Sequence, residues 1–253
     1  MATKRKRAWR SAAARCLRDK TASESVENAV IQIVSELLAQ VRCPPTDLEA
    51  ICEKLKVSIE DSDDLVGSGA LVARDGGFRI VCATDLSPQR RRFTIAHELG
   101  HVIVERYSRS GGRQSKELER LCDMFAAELL MPGSTFAQAA NSSVRLKDLP
   151  GLAKCFQVSL TSAAIRFAEV TRASIFEVNE NRIVWGVGIV RRGSMSDVDD
   201  SLLAPIAKAM SGQTGSDEVY ININQSIRRC QIEYLPFGKS QRALVLVRTL
   251  PMP

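Results

Sequence analysis

The sequence predicts an α+β protein: a mostly helical core carrying a small β-hairpin, followed by a small C-terminal α/β domain. Three observations carry this reading. Apolar residues recur at three- and four-residue steps through most of residues 23–172, two short β-prone runs interrupt them around Asp75-Gly76-Gly77, and from about residue 176 the texture turns to strands. At 253 residues, 45% hydrophobic and 25% charged, the chain is ordinary for globular proteins and long enough for one sizeable domain and a smaller one. No apolar run approaches the ~18 residues needed to cross a bilayer. The charged start MATKRKRAWR leads into no apolar stretch of the kind a secretory signal needs, so the expected location is cytoplasmic. The seven cysteines are scattered and odd in number, with no Cys-x-x-Cys pair, which argues against a disulfide scaffold or a cysteine-rich zinc module.

Residues 1–22 read as a basic, solvated tail. Residues 1–20 hold eight basic side chains against Asp19, a charge of +7, and the whole chain is +6, so residues 21–253 carry −1. The isoelectric point near 9.0 therefore describes the tail, and such a tail offers nucleic acid only salt-sensitive, sequence-blind phosphate contact. SESVENAVIQIVSELLAQV puts Val26, Val30, Ile33, Leu37 and Leu38 on one helical face, with a start at Ser23 and a stop at Pro44-Pro45. TDLEAICEKLKV is a second, short helix capped by Thr46 or Asp47. GSGALVARDGGFRIVCA changes period and predicts a hairpin turning at Asp75-Gly76-Gly77.

Ser87-Pro88 then breaks the chain before RRRFTIAHELGHVIVERY, a long helix followed by the Gly-rich loop SRSGGR. KELERLCDMFAAELLM is another helix, with Leu118, Leu121, Cys122, Phe125 and Leu129 along one face and Pro132-Gly133 as its stop. Residues 144–172 form two helices around VSLTS, a helix-turn-helix-like pattern that is also a common packing unit. Strands follow in NRIVWGVGIVRR, EVYININ and RRCQIEYLPFGKSQRALVLVRTL, with one helix, SLLAPIAKAM, among them.

Both histidines of the chain lie in His97-Glu98-Leu99-Gly100-His101. Residues four apart on a helix project from one face, so both imidazoles can reach one cation, and Glu98 beside the first can take a proton from water on that cation. The neighbouring Phe93, Ile95, Ala96, Leu99, Val102, Ile103 and Val104 mark the helix as largely buried, where two histidines and a glutamate without a partner are costly. The competing reading is a core helix whose histidines bond to backbone. A catalytic zinc takes three protein ligands and leaves a fourth position for water. With no further histidine available, the third ligand is a carboxylate or a thiolate, and the later helix offers Glu117, Glu119, Cys122, Asp123 and Glu128. Glu119 and Asp123 are four apart, so one can bind metal while the other accepts the free N–H of a ligating histidine. On that basis Glu119 is assigned as ligand and Asp123 as the orienting carboxylate of His97; the alternative for the pair is a solvated helix face.

RRFTIAHELGH, the later helix ELERLCDMFAAELLMP and the upstream segments CPPTDLEAICEKLKVSIED and SGALV together resemble the ImmA/IrrE family of zinc metallo-endopeptidases, over about residues 25–170. The resemblance implies a zincin-like peptidase core over residues 23–135 and a helical extension of that module over 136–175; the strand-rich residues 176–253 read as a small α/β sensor or docking domain. In that family the glutamate opening E-x-x-A-N-x-F-A-A-x-L-L-M-P is the third zinc ligand, which corresponds to Glu119 here. The family's Ala-Asn is Cys122-Asp123 in this chain, and the aspartate is similar to that of the Glu-x-x-x-Asp pair of gluzincin peptidases. One zinc per chain is implied, manganese being the other ion considered, and a helix-turn-helix transcriptional repressor is the implied substrate, within a bacterial or phage regulatory or stress response. Arg106 and Tyr107 are weak candidates for oxyanion stabilisation. The rival expectations are a non-catalytic zinc-binding regulator, a DNA-binding factor using the basic tail and residues 144–172, and a zinc hydrolase acting on a non-peptide bond.

Overall fold

A computed structural model of the chain describes residues 9–74, 76–108, 115–141, 144–180, 182–189, 193–194, 198–223, 225–237 and 241–251. The chain divides into two compact units, one ending at Thr135 and taking back Lys154–Ser159, the other holding Phe136–Ala153 and the residues from Leu160 onward.

The first unit opens with a helix where a solvated tail was expected. Residues Ala12–Lys20 form α1, capped by Ser11, whose Oγ accepts from the Ala14 N–H at 3.2 Å. The expectation failed because eight basic residues dominate the composition, whereas Ala14 and Leu17, three apart, supply a fully buried face. Residues 1–8 and the Gly-rich loop beyond Ser108 lie outside the described residues. Helix α2 (Val26–Leu38) starts at Ser25 rather than Ser23, because the Ser25 hydroxyl accepts the Asn28 N–H. Asp47 caps α3 (Leu48–Lys54), leaving Thr46 to donate from its buried hydroxyl to the Leu129 carbonyl at 2.7 Å.

Lys56, at φ 48°, turns the chain out of α3 into β1 (Val57–Ser62), a strand the sequence pattern did not reveal. The hairpin forms where the change of period placed it, from β2 (Gly69–Arg74) and β3 (Gly77–Ala83), with Arg74 opposite Gly77 and Gly76 at φ 82°; Asp75 lies outside the described residues. The sheet order is β1-β3-β2, with β1 parallel and β2 antiparallel to β3, so β2 is an edge strand. Helix α4 (Pro88–Ser108) begins on its proline, where the missing N–H costs nothing, and buries nearly every residue from Thr94 to Val104. Helix α5 (Lys116–Leu130), capped by Ser115, packs against it and buries Leu118, Leu121, Cys122, Phe125 and Leu129.

Between the strand-rich regions run α6 (Gly133–Ala139), α7 (Leu149–Phe156) and α8 (Leu160–Thr171). The second unit is built on a six-stranded antiparallel sheet of β4 (Ser174–Asn179), β5 (Arg182–Val187), β6 (Gly193–Ser194), β7 (Gly215–Ile223), β8 (Ser226–Pro236) and β9 (Arg242–Thr249), in the order β6-β5-β4-β9-β8-β7. Helix α9 (Leu203–Met210) closes one face over Phe176, Val178, Ile232, Val245 and Val247. Among the described residues of this unit, the carboxylates Glu177 and Glu233 are buried, each with partners. Glu177 accepts from Trp185 Nε1 at 2.6 Å and from Arg242 at 2.6 and 2.9 Å. Glu233 accepts the Leu146 N–H at 2.7 Å and pairs with Arg145 and Arg248. These bonds tie residues 145–146 to the sheet.

Candidate metal centre

His97 and His101 stand on the same face of α4, their ring centroids 5.1 Å apart and their planes at 66°. Each side chain is largely but not wholly enclosed, at 16% and 19% exposure, so solvent reaches the space in front of them. Across from them α5 presents Glu119. Its Oε2 lies 3.2 Å from His97 Nε2 and its Oε1 lies 3.7 Å from His101 Nε2. One donor atom from each of the three residues falls within 4.8 Å of the other two.

This geometry fits a small divalent ion. Atoms bound at about 2.0–2.1 Å around a tetrahedral ion lie about 3.3–3.4 Å from one another. The observed 3.2 and 3.7 Å separations bracket that value. His97 Nδ1 lies 2.9 Å from Asp123 Oδ1, so a hydrogen on Nδ1 is accepted there and the Nε2 lone pair is left free for an ion. Burial is the largest influence on His97 and lowers its pKa, but the Asp123 hydrogen bond and the charges of Asp123, Glu98 and Glu119 together raise it above the ordinary value. His101 lacks such a bond to Asp123; burial lowers its pKa, with Glu119 opposing and His97 assisting.

Glu98 is the buried acid of the group, 9% exposed on the sheet side of α4. Burial raises its pKa, His97 lowers it, and the Glu119 charge raises it. The start of β2 covers it closely. A Cβ added at Gly69 would sit 3.5 Å from Glu98 Oε1 and 2.2 Å from Thr94 Cγ2, so only glycine lets the edge strand lie this near.

Of the five candidate ligands that α5 offers, the structure gives Glu117, Glu128 and Asp123 other partners and buries Cys122. Glu117 accepts the backbone N–H groups of Arg10 and Ser11. Glu128 accepts the Gly133 N–H at 2.9 Å. Asp123 holds His97 Nδ1. Cys122 is fully buried, and burial, followed by the charges of Glu119, Glu98 and Asp123, pushes its thiol far above the usual range. Glu119 is the member that faces both Nε2 atoms. Of the oxyanion candidates, Arg106 donates to the Leu55 carbonyl, and Tyr107, whose hydroxyl pKa is raised by burial and by Glu36, stands near the C-terminal end of α4.

Sequence reasoning passed over Gly100, inside the motif. A Cβ there would meet Cys122 Cα at 3.0 Å and the Cys122 carbonyl oxygen at 3.2 Å, so the absent side chain is what lets α5 approach the histidines. The available signal was a glycine in mid-helix, which costs about 0.5–1 kcal/mol relative to alanine and needs a reason.

Residues 52–168 match a family model described as the IrrE N-terminal-like domain. Two curated relatives carry the name radiation response metalloprotease IrrE. The chain is 33% identical over 115 residues to the one from Deinococcus radiodurans and 31% identical over 115 residues to the one from Deinococcus deserti. Each match covers 39% of this chain, and it spans 34% and 40% of those relatives' lengths. Among solved structures, a Mycobacterium tuberculosis transcriptional regulator superposes with a TM-score of 0.57 at 17% identity, over 94% of this chain and 80% of its own. That likeness concerns the fold alone.

Proposed function

We propose, from the premise that residues 52–168 belong to the ImmA/IrrE family of metallopeptidases, that this chain is a zinc-dependent endopeptidase. His97, His101 and Glu119 hold the ion, Glu98 is the general base and Asp123 orients His97. The observation that supports this most is the convergence of two Nε2 atoms and one carboxylate, with Asp123 fixing the His97 tautomer behind them. Zinc fits this mixed nitrogen and oxygen set, and manganese is the other ion to test.

When bound, the ion supplies Lewis-acid polarisation of the scissile carbonyl and lowers the pKa of its water to about 7. The remaining work falls to the chain. Glu98 accepts the proton of the attacking water at its carboxylate and returns it to the departing amine nitrogen. Its raised pKa suits both transfers near neutrality. Asp123 keeps the His97 proton on Nδ1, and Gly69 leaves the edge strand β2 close enough to take an extended substrate by β-strand addition.

The substrate we propose is a protein, specifically a helix-turn-helix transcriptional repressor, cleaved in the cytoplasm in a bacterial or phage regulatory or stress response. The relatives' printed name, a radiation response metalloprotease, is the support for the regulatory setting. Among the described residues no helix is long and apolar enough to cross a membrane. The test is metal analysis of wild type beside His101→Ala, paired with incubation of zinc-loaded protein with candidate repressors and mass spectrometry of the products. Zinc near one per chain in wild type and new repressor fragments are expected. A wild type that binds no divalent ion, or that leaves every candidate intact while hydrolysing a non-peptide ester, would sink the reading.

A further inference from the structure

We infer that the segment Trp9–Lys20 is a positioning clamp on the two ligand-bearing helices, acting chiefly through Glu117 on the placement of Glu119; the inference rests on the metallopeptidase reading. The clamp grips α5 at its first turn. Glu117 Oε1 accepts the N–H of Ser11 at 2.6 Å and of Arg10 at 2.9 Å. Both N–H groups precede α1, where no helical carbonyl can serve them, so an acid two residues before Glu119 meets their need. One residue after Glu119, the Arg120 guanidinium lies 3.7 Å over the Trp9 ring, and Trp9 Nε1 donates to Glu27 of α2 at 3.1 Å.

The same segment grips α4 at its other end. Cys16 Sγ donates to the Tyr107 carbonyl at 3.2 Å, and Lys20 Nζ donates to the same oxygen. One short segment, with Ala14 and Leu17 fully buried, thus bonds to the end of the helix that carries both histidines and to the start of the helix that carries the carboxylate. Helix first turns are where fraying begins, and Glu119 sits in the first turn of α5. A carboxylate that must meet two Nε2 atoms at bonding distance cannot follow a fraying turn. The family match begins at residue 52, so this clamp lies outside it.

The test uses the full chain and reads zinc affinity by chelator competition, together with the visible spectrum of the cobalt-substituted protein. Glu117→Ala should weaken zinc binding by about tenfold, the scale typical of groups that orient ligands, and should alter the cobalt bands. Glu117→Gln keeps an oxygen that accepts both N–H groups and should restore most of the loss. Trp9→Ala should weaken zinc from the other side of the clamp, and it carries the test if Glu117→Ala does not fold. Zinc affinity within twofold of wild type in the alanine variants, whatever happens to their melting temperatures, overturns the clamp while leaving the metal site standing. A wild type no better at binding zinc than His101→Ala overturns the metallopeptidase reading and the clamp with it.

Discussion

Glu98 and Asp123 sit on either side of His97 and face opposite environments. Glu98 is buried against β2, while the Asp123 side chain is 58% exposed. Their replacements should therefore fail differently. Glu98→Gln preserves shape and hydrogen bonding but cannot carry a proton; repressor cleavage should fall by at least about 10²–10⁴-fold while zinc content stays at the wild-type level. Retained cleavage in that variant would remove Glu98 from the mechanism. Asp123→Ala leaves the His97 tautomer without its anchor, and zinc affinity by chelator competition should drop about 10–100-fold. Because Asp123 faces solvent, the stability of metal-free protein should move by no more than about 0.5 kcal/mol. A large loss of stability would make Asp123 a packing residue instead.

Among the elements, the pair α4–α5 decides whether three donors meet. Gly100→Ala sets two effects against each other. Alanine gains about 1 kcal/mol of helix propensity, but its Cβ would press on backbone of Cys122, which cannot rotate away as a side-chain tip could. Overpacking of this kind costs about 1–3 kcal/mol, so the variant should be less stable in urea and bind zinc less tightly. A more stable Gly100→Ala protein with unchanged zinc affinity would show that the helices have room to spare. The elements also mark the limits of sequence reading. α4 and α5 were legible because their apolar residues keep a helical period over several turns. β1 was not, because Val57–Ser62 is short and acid-rich and acquires its strand character from a parallel partner twenty residues away. β4, missed for a similar reason, is central only because β5 and β9 flank it.

For the whole molecule, metal binding and stability are linked. Zinc at 100 times its dissociation constant should raise the unfolding free energy by about 2.7 kcal/mol, and chelation should lower the melting temperature; identical melting curves with and without chelator would count against a site in the folded state. The C-terminal unit has its own vulnerable point in Glu177, 2% exposed and held by Trp185 and Arg242. Arg242→Ala leaves that carboxylate buried with its cation gone and should destabilise the protein by about 3 kcal/mol in urea unfolding. Charge belongs at this scale too. The +7 of residues 1–20 against −1 for the remainder predicts weak duplex binding that fades with salt and vanishes on deletion of residues 1–20; salt-resistant, sequence-specific binding would favour the DNA-binding alternative.

Local periodicity was enough to put His97 and His101 together, because a four-residue step on one helix fixes their common face whatever surrounds it. The same local rules paired Glu119 with Asp123, with Glu117, Cys122 and Glu128 as the other candidates on α5. Packing supplies the rest: Gly100 admits Cys122, Glu119 lies against the two Nε2 atoms, and Glu117 and Glu128 accept from Ser11 and Gly133. The basic N-terminus likewise became a helix only through burial of Ala14 and Leu17 against partners far along the chain. Spacing within one element is written in sequence; the phase of one element against another is set by contacts that sequence order does not display.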